Sequence, residues 1–116
     1  MELSSLDFQQ ARVKQVLYKS RLRSVLYGVR EAEPSLFTMA DNPLAQWVSA
    51  TLKPVHGSRA EVTAIERLLR QSLDVGQALA WQYGRGELEQ ARAGLEQIER
   101  LATEIDQQLT AIERAP

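Results

Sequence analysis

Apolar residues recur along the chain at steps of three and four, which is the period of helices. Strictly alternating apolar and polar runs, the pattern of half-buried strands, are absent from the sequence. Helix-forming residues dominate, and there are only 6 glycines and 4 prolines in 116 residues. The pattern predicts an all-α fold with four helical segments.

The first segment is predicted to begin near Ser4 or Ser5, whose hydroxyl can accept from a free backbone N–H, and to end at Gly28. Asp7 suits the positive end of the helix dipole. One apolar stripe runs through Phe8, Gln15, Leu22 and Val29, with Tyr18, Val25 and Leu26 beside it. A second apolar edge predicts contacts with more than one neighbour and consists of Leu6, Val13, Leu17 and Leu26.

Residues 31–40 show no sustained period, which indicates a connection. A short second helix follows, with Asp41 or Asn42 as its cap and Pro43 in its first turn, where a missing N–H costs nothing. Pro54 and Gly57 are expected to end this helix. Its apolar face consists of Leu44, Trp47 and Val48.

The third helix is predicted to open with a capping box, in which Ser58 and Glu61 each satisfy a backbone donor of the other residue. Gly76 lies inside its apolar stripe, where glycine lowers helix stability by ~1 kcal/mol relative to alanine. A close helix approach or simple tolerance would explain its presence. The stripe consists of Val62, Ile65, Leu69, Ser72, Gly76, Leu79 and Tyr83, flanked by Leu68 and Leu73.

A turn at residues 84–86 precedes the last helix, along which one row of apolar residues recurs at steps of three and four. Such a seam is typical of a long helix packed at the shallow angle of a bundle or coiled coil. Three long helices and one short one predict an antiparallel four-helix bundle, as a single domain over residues 1–116. The seam consists of Leu88, Ala91, Leu95, Ile98, Ala102, Ile105, Leu109 and Ile112.

The 14 basic and 15 acidic residues are spread along the chain and give a net charge of -1, so no field is concentrated for nucleic acid or anionic lipid. Five basic residues of the first helix, at positions 14, 19, 21, 23 and 30, are interpreted as solvated charge. The sequence lacks the basic start and apolar run of a signal peptide and any apolar stretch of the roughly 20 residues that a membrane helix needs. We therefore expect a cytoplasmic protein that binds neither nucleic acid nor membrane.

Candidate chemistry is sparse. There is no cysteine, and His56, the single histidine, lies in a connection without a neighbouring nucleophile or base. We find no serine elbow, phosphate-binding glycine loop, zinc-protease helix or calcium loop. The sequence predicts a protein that is not an enzyme and that has no cofactor.

The segment YKSRLR at residues 18–23, followed by Gly28 and by LAQW at 44–47, resembles the chemoreceptor zinc-binding (CZB) domain family. Gly86, Glu87, Ala91 and the segment LEQIE at 95–99 resemble that family's turn into its last helix. The family has a four-helix bundle fold and serves as a cytoplasmic sensory module in bacterial chemotaxis receptors and diguanylate cyclases, where three histidines and one cysteine bind zinc.

The resemblance implies that the zinc ligands are substituted in this chain. Aligned without gaps, the first-helix histidine falls on Gln15, the cysteine on Asn42, and the histidine pair of the third helix on Leu69 and Leu73. With no cysteine and one distant histidine, a tetrahedral zinc site cannot assemble. The two leucines, one turn apart, are expected to fill the space of the metal, while Gln15 either hydrogen-bonds Asn42 or reaches water at the helix edge.

These observations predict a non-enzymatic signalling or interaction module, with a homodimer or a signalling protein as its partner. The regular last seam suggests a helix-to-helix dimer through Leu95, Ile98, Ile105 or Leu109. A small-molecule sensor is the alternative, with the former metal site as a pocket that Gln15, Asn42, Tyr18 and Trp47 line. The Met1 start favours a free-standing protein, and an excised piece of a longer receptor or cyclase is equally compatible with the sequence.

Overall fold

A computed structural model describes residues 2–115, in which there are helices and turns but no strand. The prediction of an all-α fold is confirmed. The helices are α1 (Ser5–Leu26), α2 (Pro43–Trp47), α3 (Lys53–His56), α4 (Ala60–Gly84), α5 (Leu88–Ala93) and α6 (Leu95–Arg114), with a 3₁₀ turn at Pro34–Phe37 and a π turn at Val48–Leu52.

The predicted ends of α1 are confirmed. The Ser4 hydroxyl accepts from the backbone N–H of Asp7 at 3.3 Å, and the Asp7 carboxylate accepts from the N–H of Ser4 at 2.8 Å. This reciprocal pair satisfies two backbone donors that a helix start leaves free. At the other end Gly28 has a φ of +74°, a left-handed conformation that favours glycine and turns the chain away from the helix.

The short predicted helix continues past Pro54. Asn42, not Asp41, caps α2 by accepting from the N–H of Ala45 at 2.9 Å. Pro54 has no N–H to donate, and the N–H of Lys53 bonds instead to the carbonyl of Val48, five residues back. The helical path therefore widens into one π turn before α3 instead of stopping at Pro54, and it ends at His56, directly before Gly57.

The capping box predicted at the start of α4 is wrong. The helix begins at Ala60 with Arg59 as its cap residue, so Glu61 stands one position too early to reciprocate Ser58. Arg59 and Glu61 form an ion pair at 3.2 Å instead. The pKa of Glu61 is lowered by its own backbone N–H and by this arginine.

The predicted last helix is divided at Gly94 into α5 and α6. Gly94 keeps a right-handed helical conformation, but its N–H is shared between the carbonyls of Gln90 and Ala91. The side chain of Leu79 on α4 occupies the space that a Cβ at Gly94 would need. The glycine therefore lets the two helices approach closely.

Hydrogen bonds fix how α1 and α6 run. Arg12 bonds Asp106 at 2.6 Å and Glu113 at 3.1 Å, Gln15 bonds the carbonyl of Ala102 at 2.8 Å, and Lys19 bonds Glu99 at 3.3 Å. The partner numbers fall along α6 as the numbers rise along α1. These two helices therefore run in opposite directions.

The molecule is a rod of 49 × 21 × 21 Å with two adjoining core clusters. Phe8, Trp47, Ile65 and Leu109 lie in the cluster nearer the start of α1. The second cluster surrounds Leu22, Leu73 and Ile98. Tyr18 belongs to this second cluster and contacts α4 at the carbonyl of Ser72 and at Gly76.

Gly76 is explained by a close approach of helices. The Tyr18 hydroxyl, which donates to the carbonyl of Ser72 at 2.8 Å, lies where a Cβ at residue 76 would be, with Leu22 beside it. The buried contact requires that residue 76 has no side chain. This requirement explains why a glycine is present although it lowers helix stability by ~1 kcal/mol.

We expect Gly76→Ala to lower the free energy of unfolding by about 1–3 kcal/mol, because overpacking against Tyr18 outweighs the gain in helix propensity. Gly84→Ala is the matched control, since a Cβ there meets nothing within 4 Å. The control is expected to be neutral or slightly stabilising in urea unfolding followed by circular dichroism. Equal stability of the two variants would contradict the close approach.

Candidate functional site

Three of the four positions aligned with the zinc ligands line one small cavity. Gln15 on α1, Asn42 at the start of α2 and Leu69 on α4 lie around a volume of about 10 Å³. Leu73, one turn further along α4, is buried in the adjoining core cluster. The rest of the lining consists of Tyr18, Lys19, Leu44, Ser72, Ile98, Ala102 and Ile105.

The hydrogen bond between Gln15 and Asn42, one of the two alternatives for Gln15, is not formed. The amide nitrogen of Gln15 donates to the carbonyl of Ala102 on α6, and the side-chain oxygen of Asn42 is engaged by the N–H of Ala45. Each amide serves a backbone group of a nearby helix. Within residues 2–115, the side-chain oxygen of Gln15 is buried and has no hydrogen-bond partner.

The two aromatic residues expected to line a pocket are placed differently. Tyr18 borders the cavity, and burial of its phenol raises the pKa of the group well above its ordinary value of 10.0. Trp47 lies in the core cluster nearer the start of α1 and packs edge-on against Phe8, with ring centroids 5.8 Å apart. Trp47 is not part of the cavity lining.

The four residues suggested for a dimer seam are placed inward. Ile98, Ile105 and Leu109 are buried among the helices of the same chain, and Leu95 is half-buried. The regular spacing of α6 is therefore used for packing within one chain. A dimer through this helix would require these side chains to leave their own core.

The exposed apolar side chains of α1 form a different surface. The exposed fractions are 59% for Leu6, 68% for Val13, 57% for Val16 and 38% for Leu17. At about 100° per residue, these positions lie on the side of α1 opposite its buried residues. The second apolar edge of the sequence analysis contained three of the four residues; Val16 was missed, although it is next to Leu17 in the same apolar run.

Metal-ligating side chains do not cluster in the described part of the chain. Among residues 2–115, no three His, Cys, Asp or Glu side chains lie together so that they could hold a metal ion. His56 is half-buried in α3, and Lys19 of the basic first helix is paired with Glu99. Over the same residues, no helix has the length and apolar character to cross a membrane.

Comparison with known proteins yields no match: no protein-family model, no curated protein and no solved structure is similar to the chain. The family resemblance therefore rests on the residues quoted for it. It stays a prediction.

We expect the Tyr18 phenol to make stability depend on alkaline pH. Its folded-state pKa is raised, so its contribution is complete below pH 10.0 and is lost as the pH rises above that value. Relative to Tyr18→Phe, the wild-type chain should lose free energy of unfolding progressively from about pH 10, the ordinary tyrosine value, up to about pH 12.

The measurement is urea unfolding of both chains across that range, with Tyr27→Phe as the control because Tyr27 is about half exposed. Parallel pH profiles for the wild type and Tyr18→Phe would contradict the assignment.

Proposed function

We propose that this chain is a non-enzymatic signalling or interaction module, related to the CZB domain and lacking its zinc. In this proposal it forms an antiparallel four-helix bundle, acts in the bacterial cytoplasm and associates with a second copy of itself. It transmits a signal by contact with protein partners and not by catalysis.

The observation that carries the proposal is the convergence of Gln15, Asn42 and Leu69 on one small cavity. These residues are far apart in sequence and come from three different helices. A relative that had lost its metal would retain such a meeting point, with other side chains in place of the ligands. The opposite directions of α1 and α6 further support the bundle architecture.

The side chains at these positions do not fit zinc. A structural zinc site takes four nitrogen or sulfur ligands from Cys and His, whereas two of these positions are leucine and the other two carry amides. Asn42 is also committed to capping α2. Leu69 and Leu73, both buried, supply apolar contacts in the region where a metal would otherwise link the helices.

A small-molecule sensor is not supported by the dimensions of the cavity. About 10 Å³ is close to the space that one water molecule needs, whereas small-molecule pockets measure about 300–1,000 Å³. The contact module is therefore the function that we propose.

The first test is the solution mass by light scattering across protein concentration, with zinc and with a chelator. We expect a dimer whose mass is indifferent to both additions, because the chain offers no zinc ligands at the aligned positions. A monomer at every concentration would contradict self-association, and a mass that depends on zinc would contradict the loss of the metal site.

The second test restores the ligands. We expect the quadruple variant Gln15→His, Asn42→Cys, Leu69→His, Leu73→His to bind one zinc per chain in calorimetry and to gain thermal stability on binding. The control carries Ile65→His in place of Leu69→His, which moves one ligand by a helical turn among buried residues of α4. Equal zinc affinity of the two variants would contradict the relationship to the CZB domain.

A further inference from the structure

Buried polar side chains gather at the small cavity beside Gln15. Among residues 2–115, the buried residues with a polar, non-aromatic side chain are Asn42 and Ser72, and both border this cavity. Tyr18, which is also buried, borders it as well. The side-chain oxygen of Gln15 is buried and lacks a hydrogen-bond partner within the same residues. Four polar side chains thus meet around one space.

The hydrogen bonds already formed determine what three of these groups still offer. The amide nitrogen of Gln15 donates to a carbonyl of α6 at 2.8 Å, which leaves the side-chain oxygen as an acceptor. The side-chain oxygen of Asn42 accepts from an N–H of α2 at 2.9 Å, which leaves the NH₂ group as a donor. The Tyr18 hydroxyl donates to the carbonyl of Ser72 at 2.8 Å, which leaves its oxygen as an acceptor.

The orientation of both amides is fixed by the backbone groups that they bond. Turning the amide of Gln15 over would set its oxygen against a carbonyl oxygen, and turning that of Asn42 over would set its NH₂ against an N–H. Each reversal would replace a hydrogen bond with a repulsion. One donor and two acceptors therefore remain among the side chains that border the cavity.

We propose that one water molecule is bound at this cavity as part of the folded structure. The water donates to the side-chain oxygen of Gln15 and to the hydroxyl oxygen of Tyr18, and it accepts from the NH₂ group of Asn42. It thus links α1 to the start of α2, although the two amides do not bond each other directly. This inference goes beyond the proposed function and does not require the relationship to the CZB domain.

Both the size of the cavity and its chemistry agree with a water molecule. The volume of about 10 Å³ is close to what one water needs, and a buried water typically makes about three hydrogen bonds. The mixed set of donor and acceptors disfavours an ion, because the NH₂ of Asn42 repels a cation and the oxygen of Gln15 repels an anion. A buried amide oxygen without a partner lowers the stability of the fold, and the water removes that cost.

The water is tested by crystallography and by nuclear Overhauser effects between water and the methyl group of Ala102, which borders the cavity. We expect a density peak about 2.7–3.0 Å from the Gln15 oxygen and a cross-peak between water and that methyl group. Gln15→Met is expected to lose both, since methionine is a flexible side chain without an amide oxygen. Gln9→Met, at an exposed position of α1, is the control and should keep both.

The hydroxyl protons of Tyr18 and Ser72 also exchange with solvent, but both hydroxyls are retained in Gln15→Met. The difference between the two chains therefore reports the water and not these groups. If Gln15→Met fails to fold, the density beside Gln15 in the wild-type chain decides the case by itself.

The link between the two amides is tested by a double-mutant cycle in urea unfolding. Asn42→Ser retains a side-chain oxygen that can cap α2 but has no NH₂ group. We expect Gln15→Met and Asn42→Ser together to change the unfolding equilibrium constant at least about threefold less than the product of their separate effects. Gln9→Met combined with Asn42→Ser is the control cycle, in which the effects should simply multiply.

The outcomes separate this inference from the proposed function. A water at Gln15 that is lost in Gln15→Met, with coupled effects of the two amides, supports the proposal. A dry cavity in the wild-type chain, or a water that Gln15→Met leaves unchanged, overturns it. Independent effects of Gln15→Met and Asn42→Ser overturn the link through Asn42. None of these results bears on self-association, which the solution mass decides.

Discussion

The contact of Tyr18 with α4 is the constraint on which the two core clusters depend. Its buried hydroxyl donates to the carbonyl of Ser72, and it can reach that oxygen only because residue 76 has no side chain. The bond fixes α1 against α4 at the middle of both helices. The position of α1 then determines which of its sides faces the core, and the cavity beside Tyr18 lies at the same level.

The amides beside that cavity bond the backbone of neighbouring helices. Gln15 bonds a backbone carbonyl of α6 and Asn42 caps α2, so each amide stabilises a different helix instead of pairing with the other. A direct pair would have left those backbone groups without these bonds. Leu69 closes the cavity from the α4 side.

An exposed apolar surface lies on α1 and not on α6, because the apolar residues of α6 are packed inside the chain. α6 has one apolar side, and Ile98, Ile105 and Leu109 bury it. α1 has two apolar sides. Phe8 and Leu22 lie on the side that packs in the core, and Leu6, Val13 and Val16 are exposed on the opposite side. The side of a helix that is left over after folding is the side available to a partner.

The sequence by itself determined the helical class, both ends of α1 and the turn after α4, because capping residues, glycines and apolar spacing act locally. It could not settle whether Gly76 was tolerated or required, since that depends on Tyr18, which is distant in the chain. Tertiary structure likewise decided the hydrogen-bond partners of Gln15 and Asn42. It also decided that an apolar side of α1, and not of α6, stays exposed. Spacing shows that a side is apolar, but only packing decides whether another helix of the same chain covers it.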